Sequence, residues 1–104
     1  MPPLDNVRIL ILERSSQRSR RARQLLEGSG ASVSLAATTS AACAAALSFQ
    51  PELIVTSEEF SSADWHPVLR LLGDSSPALV VWKASAPAED VAELALRLYA
   101  GTRR

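Results

Sequence analysis

The chain has 104 residues, eleven basic and eleven acidic side chains and a formal net charge of zero. That length supports one domain with a single core over residues 1–104, and neutrality removes any global pull towards nucleic acid or acidic lipid. A single cysteine, Cys43, excludes an internal disulfide, no apolar run approaches the roughly 20 residues that span a bilayer, and Met-Pro-Pro-Leu-Asp does not resemble a signal peptide, so a cytoplasmic home is expected.

Strand and helix patterns alternate four times. Val7–Leu12 (VRILIL) is nearly continuous and β-branched, as a strand buried on both faces should be. Ser15 or Ser16 can cap a helix reaching about Glu27, with Gly28 and Gly30 as stops. Ala31–Ala36 alternates small polar and apolar residues, which suits a more exposed strand. Thr38 or Thr39 opens an alanine-rich helix through Phe49, and Pro51 ends it. Leu53–Thr56 forms the third strand. Asp64 is predicted to cap a helix through Leu72, with Pro67 in its first turn and Gly73 as the stop. Pro77 introduces a fourth strand, Ala78–Lys83, and Pro87 opens a last helix that Gly101 closes. Four strand–helix units imply a parallel sheet with right-handed crossovers and helices on both faces, a three-layer α/β/α sandwich.

In such sheets the functional crevice lies at the C-terminal ends of the strands. Here those ends are Glu13-Arg14 and Ser57-Glu58-Glu59. ILILERSSQRSRRARQLLEGSGASVSLA at 9–36, PELIVTS at 51–57 and PALVVWK at 77–83 resemble a bacterial two-component receiver domain in pattern and spacing. The resemblance covers nearly the whole chain. It implies a flavodoxin-like fold with strand order 2-1-3-4 and no counterpart of the family's fifth β/α unit. It also implies a degenerate phosphorylation site. Glu13 stands for one metal-binding acid and Arg14 replaces the other. Ser57 takes the place of the phosphoaccepting aspartate, and Trp82 that of the switch Ser or Thr.

Chemistry reads those departures. One carboxylate beside a guanidinium is a poor magnesium site, and an unactivated serine forms no acyl phosphate. No metal, no cofactor and no catalytic residue are therefore expected, and the chain is not read as an enzyme. Two readings of Arg14 stand side by side: a fixed cation neutralising Glu13 or Glu58, or an exposed side chain making no measurable pair. Arg14, Ser15, Ser16 and Arg18 at a helix start could cradle a small phosphate-bearing ligand, although the loop lacks the glycines that wrap phosphate. A solvated face or a protein contact is the plainer reading of the arginines. No aromatic residues interleave with them, which argues against nucleic acid. His66 and Cys43 are read as ordinary helix residues.

The last helix carries apolar residues round an arc of about 200°, wider than one sheet-facing stripe requires. With ALVVW as an edge strand, the expectation is a protein-interaction module in bacterial signalling. It would self-associate as a homodimer, or dock a partner, through Trp82, Val91, Leu94, Leu96, Leu98 and Tyr99.

Overall fold

A computed structural model of the chain describes residues 3–73 and 77–100, and the side chain of residue 100 is not described. The expected alternation is present throughout: β1 (Arg8–Leu12), α1 (Ser16–Gly28), β2 (Ser32–Ala36), α2 (Thr39–Phe49), β3 (Leu53–Ser57), α3 (Ser62–Leu72), β4 (Ala78–Trp82) and α4 (Ala88–Ala100). The sheet is parallel throughout, in order β2-β1-β3-β4. This is a flavodoxin-like α/β fold. The expected closure of the last helix by Gly101 lies outside the described residues.

The near-continuous apolar runs of β1 and β3 are explained by burial on both faces. Alternation along the pleat sends Ile9, Ile11, Leu53 and Val55 to one side, with Ala22 and Leu26 of α1 and Val91 and Ala95 of α4. Leu10, Leu12 and Ile54 go to the other, with Ala42 and Ala46 of α2 and Val68 and Leu72 of α3. Leu4 and Val7, ahead of β1, are fully buried in the first layer. The alanines of α2 let it lie close to β1 and β2.

Local caps follow the sequence in most places. Ser15 is the N-cap of α1 and Thr38 that of α2, each accepting a hydrogen bond from a backbone N–H three residues on. Gln50, with φ of 51°, ends α2 in the left-handed region just before Pro51. Asp64 does not cap α3. Ser61 is the N-cap, and the Asp64 carboxylate reaches back to the Ser61 N–H at 2.8 Å. The helix thus starts earlier than predicted, because a carboxylate three residues inside can serve the cap residue's amide. Pro67 consequently lies in the helix interior, where it gives no N–H to Ala63.

The largest departure concerns α4. It crosses the sheet and packs beside α1, so each face carries two helices. Ala88, Val91 and Ala95 face the sheet, while Ala92, Leu96 and Tyr99 pack against the same cluster. Much of the wide apolar arc is thus used inside the molecule.

Candidate functional site

At the C-terminal ends of β1, β3 and β4, the turn after β1 and the start of α1 carry the chemistry. Glu13 follows the last residue of β1 and is only 3 % exposed. Its Oε1 accepts the Ser15 N–H at 3.2 Å and lies 3.7 Å from Nε of Arg18. Oε2 is buried and has no hydrogen-bond partner. A carboxylate out of water needs a compensating cation, and Arg18 supplies it from the first turn of α1.

Arg18 is held by several further contacts. Its Nη1 donates to the carbonyls of Ala84 at 2.8 Å and Ala86 at 3.2 Å, and its Nη2 to that of Lys83 at 3.0 Å. The guanidinium carbon also sits 4.0 Å from the ring centroid of Trp82. Trp82 donates its indole N–H to the Ala86 carbonyl at 3.0 Å. One planar cation therefore ties the β1–α1 turn to the β4–α4 loop, using a fork that a lysine ammonium lacks.

The fixed cation beside Glu13 is Arg18, in place of Arg14. Arg14 is exposed and lies over Phe60, 5.0 Å from its centroid. Glu58 is satisfied by the Ala84 N–H. Adjacent residues past a strand end diverge, which is why Arg14 leaves the crevice while the residue one helical turn into α1 enters it. Ser57 is buried, and its Oγ accepts the Glu59 N–H at 3.3 Å, shaping the turn after β3. Among the described residues, no group of three or more His, Cys, Asp or Glu could hold a metal ion.

The four residues expected to cradle an anion, Arg14, Ser15, Ser16 and Arg18, are placed at the turn after β1 and the start of α1. Ser15 uses its hydroxyl on the Arg18 N–H, and Arg18 is committed to carbonyls. Arg14 and Ser16 line a surface hollow of about 290 Å³ together with Glu13, Ser19 and Arg20. A larger groove of about 560 Å³ runs between α1 and the start of α4, lined by Ser16, Arg18, Arg20, Arg21 and Pro87. Arg21 there pairs with Glu89 at 3.1 Å. A backbone hydrogen bond at its own amide, then Arg21, hold the Glu89 carboxyl below its usual range.

The candidate interface residues divide. Trp82 is 2 % exposed and Val91 is also buried, so neither offers surface; both belong to the core beneath α1 and α4. Leu96 and Tyr99 are half-buried against that core, and the Tyr99 hydroxyl donates to the Glu52 carbonyl at 3.0 Å. Leu94 is half-buried and Leu98 exposed. Reading by residue type missed Val81, which is 53 % exposed. Its signal was its place in the alternation of β4, two residues from Leu79 on the same face.

No protein family model matches the chain, and no curated protein does. Among eight matching solved chains is one described as amino acids 181–211 of the yeast Spc42 trimeric coiled coil fused to another structure. It is 21 % identical with a TM-score of 0.67, covering 95 % of this chain and 80 % of that one. At that identity the likeness shows the fold alone. Among the described residues, no helix is long and apolar enough to cross a membrane.

Proposed function

We propose that this chain is a non-catalytic, non-phosphorylatable receiver-like module of bacterial signalling, working in the cytoplasm by binding protein. The observation that carries the reading is Arg18. Its guanidinium fills the strand-end crevice beside the buried Glu13, where the resemblance would place a dication and a phosphoryl group. The positions are held permanently by one side chain, so the loop after β4 has a fixed conformation instead of a switched one.

Binding then falls to the surface, where Leu47 of α2, Leu71 of α3, Val81 of β4 and Leu98 of α4 are exposed large apolar side chains; of these Val81 lies on a sheet edge. β4 is an edge strand of five residues without a charge or a proline, and Val81 is exposed on it. Edge strands of this kind pair readily with other chains.

Mass spectrometry tests both halves. Incubation with magnesium and acetyl phosphate should leave the mass of the chain unchanged. A photo-crosslinking amino acid at position 81, introduced in cells, should yield protein adducts, whereas the same group at the exposed position 20 should not. A stoichiometric gain of one phosphoryl group, or adducts from position 20 alone, would refute the reading.

A further inference from the structure

We infer that the hollow on the β2 side of the strand-end turn is a binding site for a free α-amino acid, a ligand that the docking reading does not require. Glu13, Arg14, Ser16 and Arg20 line it, with Leu35 and Ala36 from the end of β2. The occupant is selected by the groups there that the fold leaves without a partner. The Glu13 side chain is only 1 % exposed. Its Oε1 serves the Ser15 N–H and Arg18, while Oε2 accepts from nothing. A buried carboxylate oxygen without a donor carries a desolvation cost that a ligand N–H would relieve. Among the described residues no hydrogen bond or ion pair engages Arg20 or the Ser16 hydroxyl, and Arg14 has only the ring of Phe60.

Each of these groups excludes a class of ligand. A simple anion, inorganic phosphate included, would satisfy Arg14 and Arg20 but leave Oε2 without a donor and set a second negative charge near it. A simple amine would answer Oε2 but face two guanidinium groups. A zwitterion answers both. Its ammonium donates towards Oε2, and its carboxylate meets the paired donors of a guanidinium and the Ser16 hydroxyl. An α-amino acid carries its two charges on neighbouring atoms of one carbon centre, which suits a hollow of about 290 Å³. That volume is at the small end of ligand sites, which run from about 300 to 1,000 Å³. Leu35 and Ala36 offer the ligand's side chain a short apolar wall, which favours an aliphatic amino acid over a charged one. Oε2 is closed to solvent, so an entering ammonium has to displace side chains at the mouth. Arg14 and Ser16, both exposed, are held there by no side-chain hydrogen bond.

NMR titration of the isotope-labelled full chain with each common α-amino acid should give saturable shifts for at least one, centred on the amides of Glu13, Ser16 and Ala37. The same molecule without its carboxylate, and the same molecule without its amine, should each bind at least about tenfold more weakly. Arg20→Ala, a change on the exposed face of α1, should weaken binding to the same degree, and Arg20→Lys should recover part of it. Glu13→Gln, with folding confirmed by its own spectrum, should bind the amino acid and its deaminated analogue alike. No saturable shift from any amino acid at millimolar concentration overturns the site. Equal binding of the deaminated analogue or of inorganic phosphate by the unaltered chain reveals a plain anion site and overturns the zwitterion. Binding indifferent to Arg20→Ala overturns the placement. None of these outcomes alters what a photo-crosslinker at position 81 captures, so this inference and the docking reading fail separately.

Discussion

Arg18 and Glu13 set the stability of the strand-end turn, and their energetics can be separated. Glu13 is almost fully buried and Arg18 partly so, and removing one partner of such a pair costs more than the pair contributes, since the other charge stays out of water. Arg18→Ala should therefore destabilise the chain by about 2 kcal/mol, below the value for a fully buried pair because Arg18 retains solvent contact. Arg18→Lys should recover little, since an ammonium cannot reach three carbonyls and lie flat on Trp82. Glu13→Gln in the Arg18→Ala background should restore part of the loss. Urea denaturation of these three variants and of Glu13→Gln alone measures this, and an additive double variant would show that the two side chains are not coupled. That a guanidinium would stand beside Glu13 was one of two readings the sequence supported. That it would be Arg18 was not legible, because a long side chain one helical turn into α1 reaches the crevice while the nearest arginine in sequence diverges from it.

At the scale of elements, the sequence was most readable where burial on both faces leaves no alternative, as in β1 and β3. It was also readable where a pair of hydroxyl residues marks a helix start, as at Ser15-Ser16 and Thr38-Thr39, although the sequence leaves open which of each pair is the cap. It misled at α3, where Ser61 and Asp64 both favour a helix start and only the backbone decides which residue is the cap. The distinction is measurable. Were Asp64 the N-cap, serine would replace it at little cost; as the carboxylate that accepts the Ser61 N–H, it is better replaced by glutamate. Asp64→Ser should lose about 1 kcal/mol and Asp64→Glu much less, by urea denaturation. A smaller loss from Asp64→Ser than from Asp64→Glu would return the cap to Asp64. For α4, composition announced a wide apolar arc but not which part of it would be used internally. The crossing onto the α1 face settles that, because it spends Val91, Ala95 and Leu96 on the core and leaves Leu94 and Leu98 on the outer flank.

For the molecule as a whole, the two edges of the sheet are unlike, and that asymmetry ties fold to proposed function. β2 carries serines, while β4 carries Leu79, Val80 and Val81 in succession. The repeated strand–helix units made the parallel sheet readable and the family resemblance implied its order, but the exposure of β4 depends on how far α3 and α4 reach over it. Amide hydrogen exchange followed by NMR reads that reach directly. The amides of Ile11 and Val55, in the buried central strands, should be among the slowest. The Ala78 N–H and the Trp82 carbonyl bond β3, and a parallel pair alternates, so Val80 also faces β3 while the N–H groups of Leu79 and Val81 point outward. Val80 should therefore exchange slowly, whereas Leu79 and Val81 should exchange at least about tenfold faster in dilute solution. Equal protection of Val80 and Val81 in dilute solution would mean that the edge is already covered within one chain.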